Sequence, residues 1–177
     1  MMMSSADPVN IEVRLAAVEE RPILRRLMEL YQYDFSEFDR ADVGPLGLYD
    51  YPYLDHYWVE EGRFPYLVRV NSKLAGFVLV SRYNYTTGAK DARVISEFFI
   101  LRKYRHQGVG EQVARWVFSQ HPGAWQVSEI PENQAAVRFW RKVIGRYTGE
   151  SYTEHFLDNE HWHGLVQVFT TLPGQQT

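Results

Sequence analysis

The sequence predicts an α/β fold with a mixed central sheet of about six to seven strands flanked by helices. Strand-like and helix-like patterns follow one another along the 177 residues. The composition, 45% hydrophobic and 23% charged residues, is that of an ordinary globular chain. At about 150 residues per domain, we expect one domain over residues 1–177.

Composition and charge exclude several classes of protein. The net charge of −3 disfavours broad nucleic-acid binding, which usually requires an excess of basic residues. The absence of cysteine excludes disulfides, thiolate metal ligands and a cysteine nucleophile. The longest apolar runs, at 77–80 and 98–101, are far shorter than the roughly 20 residues of a membrane span. Residues 1–8 lack the pattern of a secretory signal, so we expect a cytoplasmic protein with a flexible segment at 1–10.

The first half of the chain predicts a strand at 11–16 and then a helix over 19–34, with Pro22 in its first turn. Residues 35–65 are irregular and rich in glycine, proline and aromatic side chains, with a short helix at 54–61. An irregular stretch of this length is usually functional or disordered. The aromatic residues argue against disorder, so we expect a functional segment.

The second half completes the predicted order β-α-β-β-β-α-β-α-β-β. A hairpin at 66–70 and 74–83 precedes an apolar strand at 94–101. A helix at 108–120, a strand at 125–130 and a helix from 133 to about 144, ended by Gly145, come next. Strands at 146–152 and 165–170, joined by 155–163, complete the sheet.

A basic turn with two glycines follows the apolar strand and begins the next helix. Arg105, Gly108 and Gly110 form the pattern Arg-x-x-Gly-x-Gly. A helix N-terminus presents free N–H groups and a positive dipole, and glycine allows an anion to approach closely, which favours a pyrophosphate. Glu111 and Gln112 exclude a Walker loop, and Val113 excludes the dinucleotide fingerprint. A helix start without any ligand remains an alternative.

A second motif downstream supports the ligand-binding interpretation. The strand at 125–130 is expected to lie parallel to 94–101 through a right-handed crossover, and Asn133-x-x-Ala136-x-x-Phe139 follows it. With both motifs in this order, the chain resembles the GNAT (Gcn5-related N-acetyltransferase) superfamily. The resemblance covers 11–170 and is greatest to small bacterial members.

The resemblance implies a fold with two splayed parallel strands, between which the pantetheine arm of acetyl-CoA binds like an extra strand. It places the backbone of Phe99, Ile100 and Leu101 along the arm. Asn133 would hydrogen-bond the CoA chain, and Phe139 and Trp140 would pack beside it. The pyrophosphate would be held by N–H groups of Arg105, His106, Gln107, Gly108, Val109, Gly110 and Glu111.

The implied reaction is acetyl transfer from CoA to a primary amine by direct attack. The amine must lose a proton, and Glu97 is the candidate base because it is the only acidic residue in the strand 94–101. The alternative is that Glu97 faces solvent or pairs with an arginine. An N–H at a strand bulge near Ile100 would stabilise the oxyanion.

The general acid is not assigned by the resemblance. Many members carry a tyrosine where this chain has Trp140. Either the thiolate leaves unprotonated, or Tyr147 or Tyr152, expected on the next strand, protonates it. Trp140 also leaves open a non-catalytic acyl-CoA-binding or sensing protein. An interaction module with a vestigial cleft is a third alternative.

The acceptor side is expected to be formed by the first helix and the irregular segment. Asp34, Tyr53 and Trp58 are the candidate ligands of a cationic amine, through charge and cation–π contact. His155, His161 and His163 could in principle hold zinc, but no metal is expected because exposed strand histidines are far commoner. The expected partners are acetyl-CoA and a small amine, with no nucleic acid and no membrane, and a homodimer is left open.

Overall fold

The computed structural model describes residues 9–174. The flexible segment expected at 1–10 therefore falls almost entirely outside the described residues. Within the described part of the chain, no helix is both long enough and apolar enough to cross a membrane.

Seven strands and three α-helices lie within residues 9–174. The helices are α1 (Arg21–Asp39), α2 (Val109–Gln120) and α3 (Gln134–Thr148). Single 3-10 turns form at Val18–Glu20, Leu54–Trp58 and Arg102–Tyr104. The strands are β1 (Ile11–Leu15), β2 (Phe64–Val70), β3 (Lys73–Arg82), β4 (Arg93–Ile100), β5 (Gly123–Glu129), β6 (Thr153–Asp158) and β7 (His163–Thr171).

The strands form one mixed sheet in the order β1-β2-β3-β4-β5-β7-β6. Every neighbouring pair is antiparallel except β4 and β5, which are parallel. On one face, Phe77 and Phe99 pack under α1. On the other, Val80 and Trp125 pack under α2 and α3. The expected α/β class with a mixed sheet of seven strands is confirmed.

The two parallel strands separate soon after they begin. Only Arg93 and Val94 of β4 pair with β5, so the rest of β4 lacks a neighbour on that side. A bulge interrupts β4 where Leu79 faces Glu97 and Val80 faces Ile95, which leaves Ser96 as the extra residue. The bulge lies at Ser96, so the expectation of a bulge near Ile100 is wrong.

The end of α3 also differs from the sequence prediction. The helix does not stop at Gly145 but continues to Thr148, and Gly149 ends it with a φ of 61°. A Cβ at Gly145 would lie 2.6 Å from the carboxylate of the exposed Glu150, a flexible group that can move aside, so the helix accepts this glycine without requiring it. Consequently 146–152 is not a strand, and β6 begins at Thr153 and includes His155, which was placed in a linker.

The first helix is longer than predicted. It runs to Asp39 rather than 34, so that five residues assigned to the irregular segment are helical. Phe35 of this last turn packs on Tyr31. The extension places a further turn of α1 beside the end of β4.

Candidate active site

A cleft of about 720 Å³ opens where β4 and β5 separate. Its walls come from α1, the end of β4, the turn before α2, and α3. The residues that line it are Tyr31, Asp34, Phe35, Glu37, Phe38, Phe98, Phe99, Ile100, Arg102, Arg105, His106, Gly108, Gly110, Glu111, Asn133, Ala135, Ala136, Phe139, Trp140, Lys142 and Val143.

The glycine turn leaves the N-terminus of α2 open. Gly108 caps the helix with a φ of 78°, which L side chains rarely adopt. The first helical bond runs from the Gln112 N–H to the Gly108 carbonyl, so the N–H groups of 109–111 have no partner within the helix. A Cβ on Gly108 would meet only the Gln112 amide, at 3.8 Å. The turn therefore has the open space and the donors that an anion requires.

The second glycine has a packing role. A Cβ on Gly110 would lie 3.2 Å from the Phe139 ring of α3. Phe139 in turn packs on Phe98 and Trp140, with ring centroids 5.6 and 4.9 Å apart. Gly110 thus lets α2 approach the aromatic wall of the cleft.

Arg105 serves the protein itself and not a ligand. Its N–H donates to the Arg102 carbonyl at 3.2 Å. Its guanidinium donates to the Ile100 carbonyl at 2.7 Å and to the Asp34 carboxylate at 2.5 Å. The expectation that the Arg105 N–H holds a pyrophosphate is therefore wrong, and the open donors begin after Arg105.

Asp34 connects α1 to this turn. It accepts hydrogen bonds from Arg102, the shorter at 2.6 Å, as well as from Arg105. Burial raises the pKa of Asp34, but the two arginines outweigh it and hold the pKa below its ordinary value. The carboxylate is already paired with two arginines, which argues against its predicted role as an acceptor ligand, although Asp34 does line the cleft.

The backbone of β4 alternates between β3 and the cleft. The Leu101 N–H donates to the Ala75 carbonyl of β3 at 2.8 Å, so by alternation Phe99 also faces β3. The Phe99 carbonyl lies where a Cβ on Gly76 would be. Phe98 then presents its N–H and carbonyl to the cleft, and Ile100 presents its N–H, because the Ile100 carbonyl already accepts a hydrogen bond from Arg105. Of the three predicted residues only Ile100 does so, and Phe98 was missed although the same alternation would have indicated it.

The remaining turn residues divide between the cleft and the protein interior. His106, with a φ of 60°, and Glu111 line the cleft. The side chain of Gln107 donates to the Lys103 carbonyl at 2.7 Å, and Val109 is buried in the core. Gln107 and Val109 can therefore offer only backbone groups.

The second motif lies on the opposite wall. Asn133 caps α3, because its side-chain oxygen accepts the Ala136 N–H at 3.0 Å, and it also lines the cleft. Trp140 is 5% exposed and packs edge-on against Phe98. Its bulk completes an apolar wall next to the open backbone of β4.

Glu97 lies on the face of β4 opposite that wall, within a cluster of tyrosines. Tyr51 Oη donates to its carboxylate at 3.0 Å, and Tyr31, which lines the cleft, also donates to it. Among residues 9–174, the ion pairs within 4 Å do not include Glu97. Burial raises the pKa of Glu97 to about 7, although the two tyrosine hydrogen bonds act to lower it. An unpaired carboxyl that titrates near neutrality has the property a general base needs.

The tyrosines around Glu97 come from distant segments. Tyr31 belongs to α1, and Tyr51 precedes the 3-10 turn at Leu54–Trp58. Tyr57 hydrogen-bonds Ser96, the bulged residue next to Glu97. No local pattern in the sequence connects these positions, which is why the prediction missed them.

Tyr147 was expected on a strand, but it lies in α3. It is 4% exposed, packs on the Phe118 ring at 5.4 Å, and is not among the residues of the cleft wall. Burial raises its pKa. Tyr152 lies between α3 and β6. The structure thus brings neither tyrosine to the cleft.

The two aromatic acceptor candidates differ in environment. Trp58 donates its indole N–H to the Ala16 carbonyl at 2.9 Å and packs against the core under α1. Tyr53 is 59% exposed, and its ring lies 6.2 Å from that of Tyr51. Neither lines the cleft, but Tyr53 is one ring away from the Glu97 cluster.

The three histidines considered as metal ligands do not converge. His155 contacts Thr153, His161 contacts Tyr83, and His163 contacts Asp158. Within the described part of the chain, no three histidine, aspartate or glutamate side chains are placed to share a metal ion.

Comparison with solved structures identifies the fold. An aminoglycoside acetyltransferase, AAC(6')-Ib, in complex with coenzyme A aligns over 91% of this chain and 95% of its own, at 16% identity and a TM-score of 0.64. The acetyltransferase of Salmonella typhimurium that modifies the N-terminal serine of L7/L12 aligns over 90% and 94%, at 14% identity and 0.62. Spermidine N-acetyltransferase from Vibrio cholerae, with CoA and spermine, aligns over 89% and 93%, at 13% identity and 0.57.

The sequence itself is informative at the level of the family. No curated protein matches it. The model of the acetyltransferase (GNAT) family matches residues 24–145, which include the glycine turn and most of α1 and α3. The chain belongs to the GNAT acetyltransferase family.

Proposed function

We propose that this chain transfers an acetyl group from acetyl-CoA to a primary amine of a small molecule or peptide. One observation supports this most directly. The cleft has an open helix N-terminus at one end, and Tyr31, which lines it, hydrogen-bonds the Glu97 carboxyl, whose pKa burial raises to about 7 although Glu97 is not itself among the lining residues. The first suits a pyrophosphate and the second suits an amine that must lose a proton.

The donor end fits coenzyme A in shape and chemistry. The N–H groups of 109–111 and the space above Gly108 suit the pyrophosphate. The backbone groups of Phe98 and Ile100 suit the amides of the pantetheine arm, which would add to β4 as a strand does. Asn133 and the rings of Phe139 and Trp140 form the facing wall.

The acceptor end supplies the proton transfer. The amine nitrogen forms a bond to the thioester carbonyl carbon, and the carbon–sulfur bond breaks. Glu97, directly or through a water molecule, takes the proton that the amine loses, while Tyr31 and Tyr51 hold its carboxylate in place. Cleft-facing N–H groups of β4 are the candidate donors to the developing oxyanion.

The leaving group requires no acid in this proposal. A thiol has a pKa near ~8.5, so a thiolate can leave without a proton. Trp140 occupies the wall where many relatives carry tyrosine, and an indole N–H is not a useful acid. Tyr147 lies in the core, which argues against it as the acid.

The structural neighbours support an amine as the acceptor class. Their names state an aminoglycoside, spermidine and a protein N-terminal serine as acceptors. These acceptors share a primary amine and little else. We therefore extend to this chain only the amine, and not any one of the three molecules.

A second candidate function is non-catalytic acyl-CoA binding. The observation that favours it is Trp140, because it removes the residue that protonates the thiolate in many relatives. This candidate retains the glycine turn and predicts no product.

The experiment is an amine panel with acetyl-CoA, in which released thiol is measured for the wild-type protein and for Glu97→Gln. We expect thiol release with at least one amine, and its loss in the variant while acetyl-CoA still binds. Binding without release for any amine supports the non-catalytic candidate. Absence of acetyl-CoA binding by folded protein contradicts both.

A further inference from the structure

Two arginines face each other at the end of the sheet away from the glycine turn. Arg82 ends β3, Arg93 begins β4, and the two are direct partners in the antiparallel register. Their side chains therefore lie on the same face of the sheet. Like charges directly opposite each other destabilise a strand pair unless something neutralises them.

The described protein offers Arg93 no counter-charge. Its Nε and Nη1 atoms are buried without a hydrogen-bond partner among residues 9–174. Its guanidinium lies over the Phe64 ring, 5.6 Å from the centroid, which holds the group in place but does not neutralise it. Burial, and then the charge of Arg82, lower the pKa of Arg93. A half-buried cation without a counter-charge is destabilising.

The neighbouring groups do not neutralise the positive charge of the two arginines. His121 stacks on Phe64 at 4.4 Å, and its pKa, lowered to about 4 by burial and the two arginines, keeps it neutral. Arg82 lines a small cavity of about 190 Å³ that Lys90 also lines. Of the two carboxylates there, Glu60 already pairs with Arg63 at 2.6 Å. The other, Glu61, is exposed.

We infer that the face of Arg82 and Arg93 binds an oxyanion, either a phosphate or a carboxylate. A guanidinium presents a planar fork of donors that matches both groups. The ligand would bind at Nη2, the Arg93 guanidinium nitrogen that is not buried, beside the exposed Arg82, and would remove the repulsion between the two charges. The site is separate from the CoA cleft, because β4 has eight residues and is roughly 25 Å long, with Arg93 and the glycine turn at opposite ends.

The test is thermal unfolding and calorimetric titration with inorganic phosphate and with acetate, at constant ionic strength in chloride. We expect at least one of them to bind saturably and to raise the wild-type Tm by about 3–6 °C at a tenfold excess over its Kd. A response to phosphate but not acetate assigns a phosphate, and the reverse assigns a carboxylate.

Three variants locate the effect. Arg93→Met keeps the bulk of the side chain and should abolish the response, without lowering the Tm in oxyanion-free buffer. Arg82→Gln changes the exposed partner of Arg93 and should weaken the response to the oxyanion. Arg26→Met changes an exposed arginine of α1 and should leave the response unchanged.

Gly108→Trp distinguishes this site from the helix N-terminus of the CoA cleft, and should also leave the response unchanged. No response in the wild type, an equal response in Arg93→Met, or a response lost only in Gly108→Trp would overturn the inference.

Discussion

The two ends of the cleft are constructed in different ways. The donor end is a continuous piece of chain, from Ile100 to Glu111, whose free backbone N–H groups and glycines suit an anion. The acceptor end consists of side chains from separate segments, with Glu97 on β4, Tyr31 on α1 and Tyr51 in a loop. The donor end is therefore defined by local backbone geometry and the acceptor end by tertiary packing.

This difference separates what a mutation should affect at each end. A change at the donor end should alter the affinity for acetyl-CoA, because the chain there only holds the ligand. A change at the acceptor end should alter the rate or its pH dependence, because Glu97 is the proposed base. Asp34 joins the two ends, since it belongs to α1 but contacts the donor turn.

The largest effect is expected for Glu97→Gln. Loss of a general base should lower kcat by about 10²–10⁴-fold with little change in the KM for acetyl-CoA. In the wild type, kcat/KM should rise with pH through about 7, because the pKa of Glu97 is raised to about 7 and only its deprotonated form accepts a proton. The measurement is a pH series of steady-state rates.

The control for this variant is Glu61→Gln, which removes an exposed carboxylate. It should leave the rate and the pH profile unchanged. An active Glu97→Gln enzyme with the wild-type pH profile would show that another group takes the proton.

The next largest effect is expected for Asp34→Asn. The asparagine loses the charge that Arg102 and Arg105 share, so the turn becomes less ordered. The KM for acetyl-CoA should rise about tenfold, an effect of the size of a broken charged hydrogen bond, while kcat stays the same. Glu37→Gln, one turn along α1 beside the same arginines, is the matched control. A fall in kcat with unchanged KM would instead support the role of Asp34 as an acceptor ligand that the sequence predicted.

A smaller effect is expected for Tyr51→Phe. The Tyr51 hydroxyl stabilises the charged carboxylate of Glu97 at 3.0 Å, so its loss should raise the pKa of Glu97 further. The rising limb of the pH profile should move to higher pH, and the rate at pH 7 should fall by about two- to fivefold. Tyr53→Phe, on the exposed neighbouring ring, should not move the limb. A limb that moves to lower pH in Tyr51→Phe would contradict the hydrogen bond's role.

Glu129→Gln is expected to leave catalysis unchanged and to alter only stability. Burial raises the pKa of Glu129 to about 9, although the neighbouring Gln167 amide acts to lower it, and both carboxyl oxygens are buried. The folded chain therefore keeps this proton up to about pH 9, whereas an unfolded glutamate loses it near 4.5, so stability falls as pH rises between these values.

The variant should remove that pH dependence and raise the Tm at pH 8 by a few degrees, as calorimetry can measure. Glu132→Gln, which changes an exposed neighbour, should alter neither the pH dependence nor the Tm. A changed kcat in Glu129→Gln would mean that this carboxyl communicates with the cleft.

The secondary-structure elements of the donor end could be predicted from the sequence because that end is local. Strand, glycine turn and helix start are neighbours in the chain, so residue type and spacing carry the information. The contacts of two residues at this end, Arg105 and Phe98, could not be predicted from the local sequence. The partners of Arg105 depend on Asp34, which is 71 residues away. The direction of the Phe98 backbone groups depends on the pairing register between β4 and β3.

The acceptor end was predicted only at Glu97. An isolated carboxyl in an apolar strand is visible in the sequence, but the tyrosines that hold it are not, because they approach it only when α1 and the loop fold over the sheet. Asp34 was misassigned for the same reason. The end of α3 was misplaced because Gly145 and Gly149 both resemble helix stops, and only Gly149 adopts the positive φ that ends the helix.

The central claim is that the turn at Gly108 binds the pyrophosphate of acetyl-CoA in the cleft between β4 and β5. Calorimetric titration of the wild type and of Gly108→Trp with acetyl-CoA tests it most directly, with circular dichroism to show that both are folded. We expect saturable binding of one acetyl-CoA per chain in the wild type and none in the variant. Absence of binding by the folded wild type, or equal binding by both proteins, would contradict the claim.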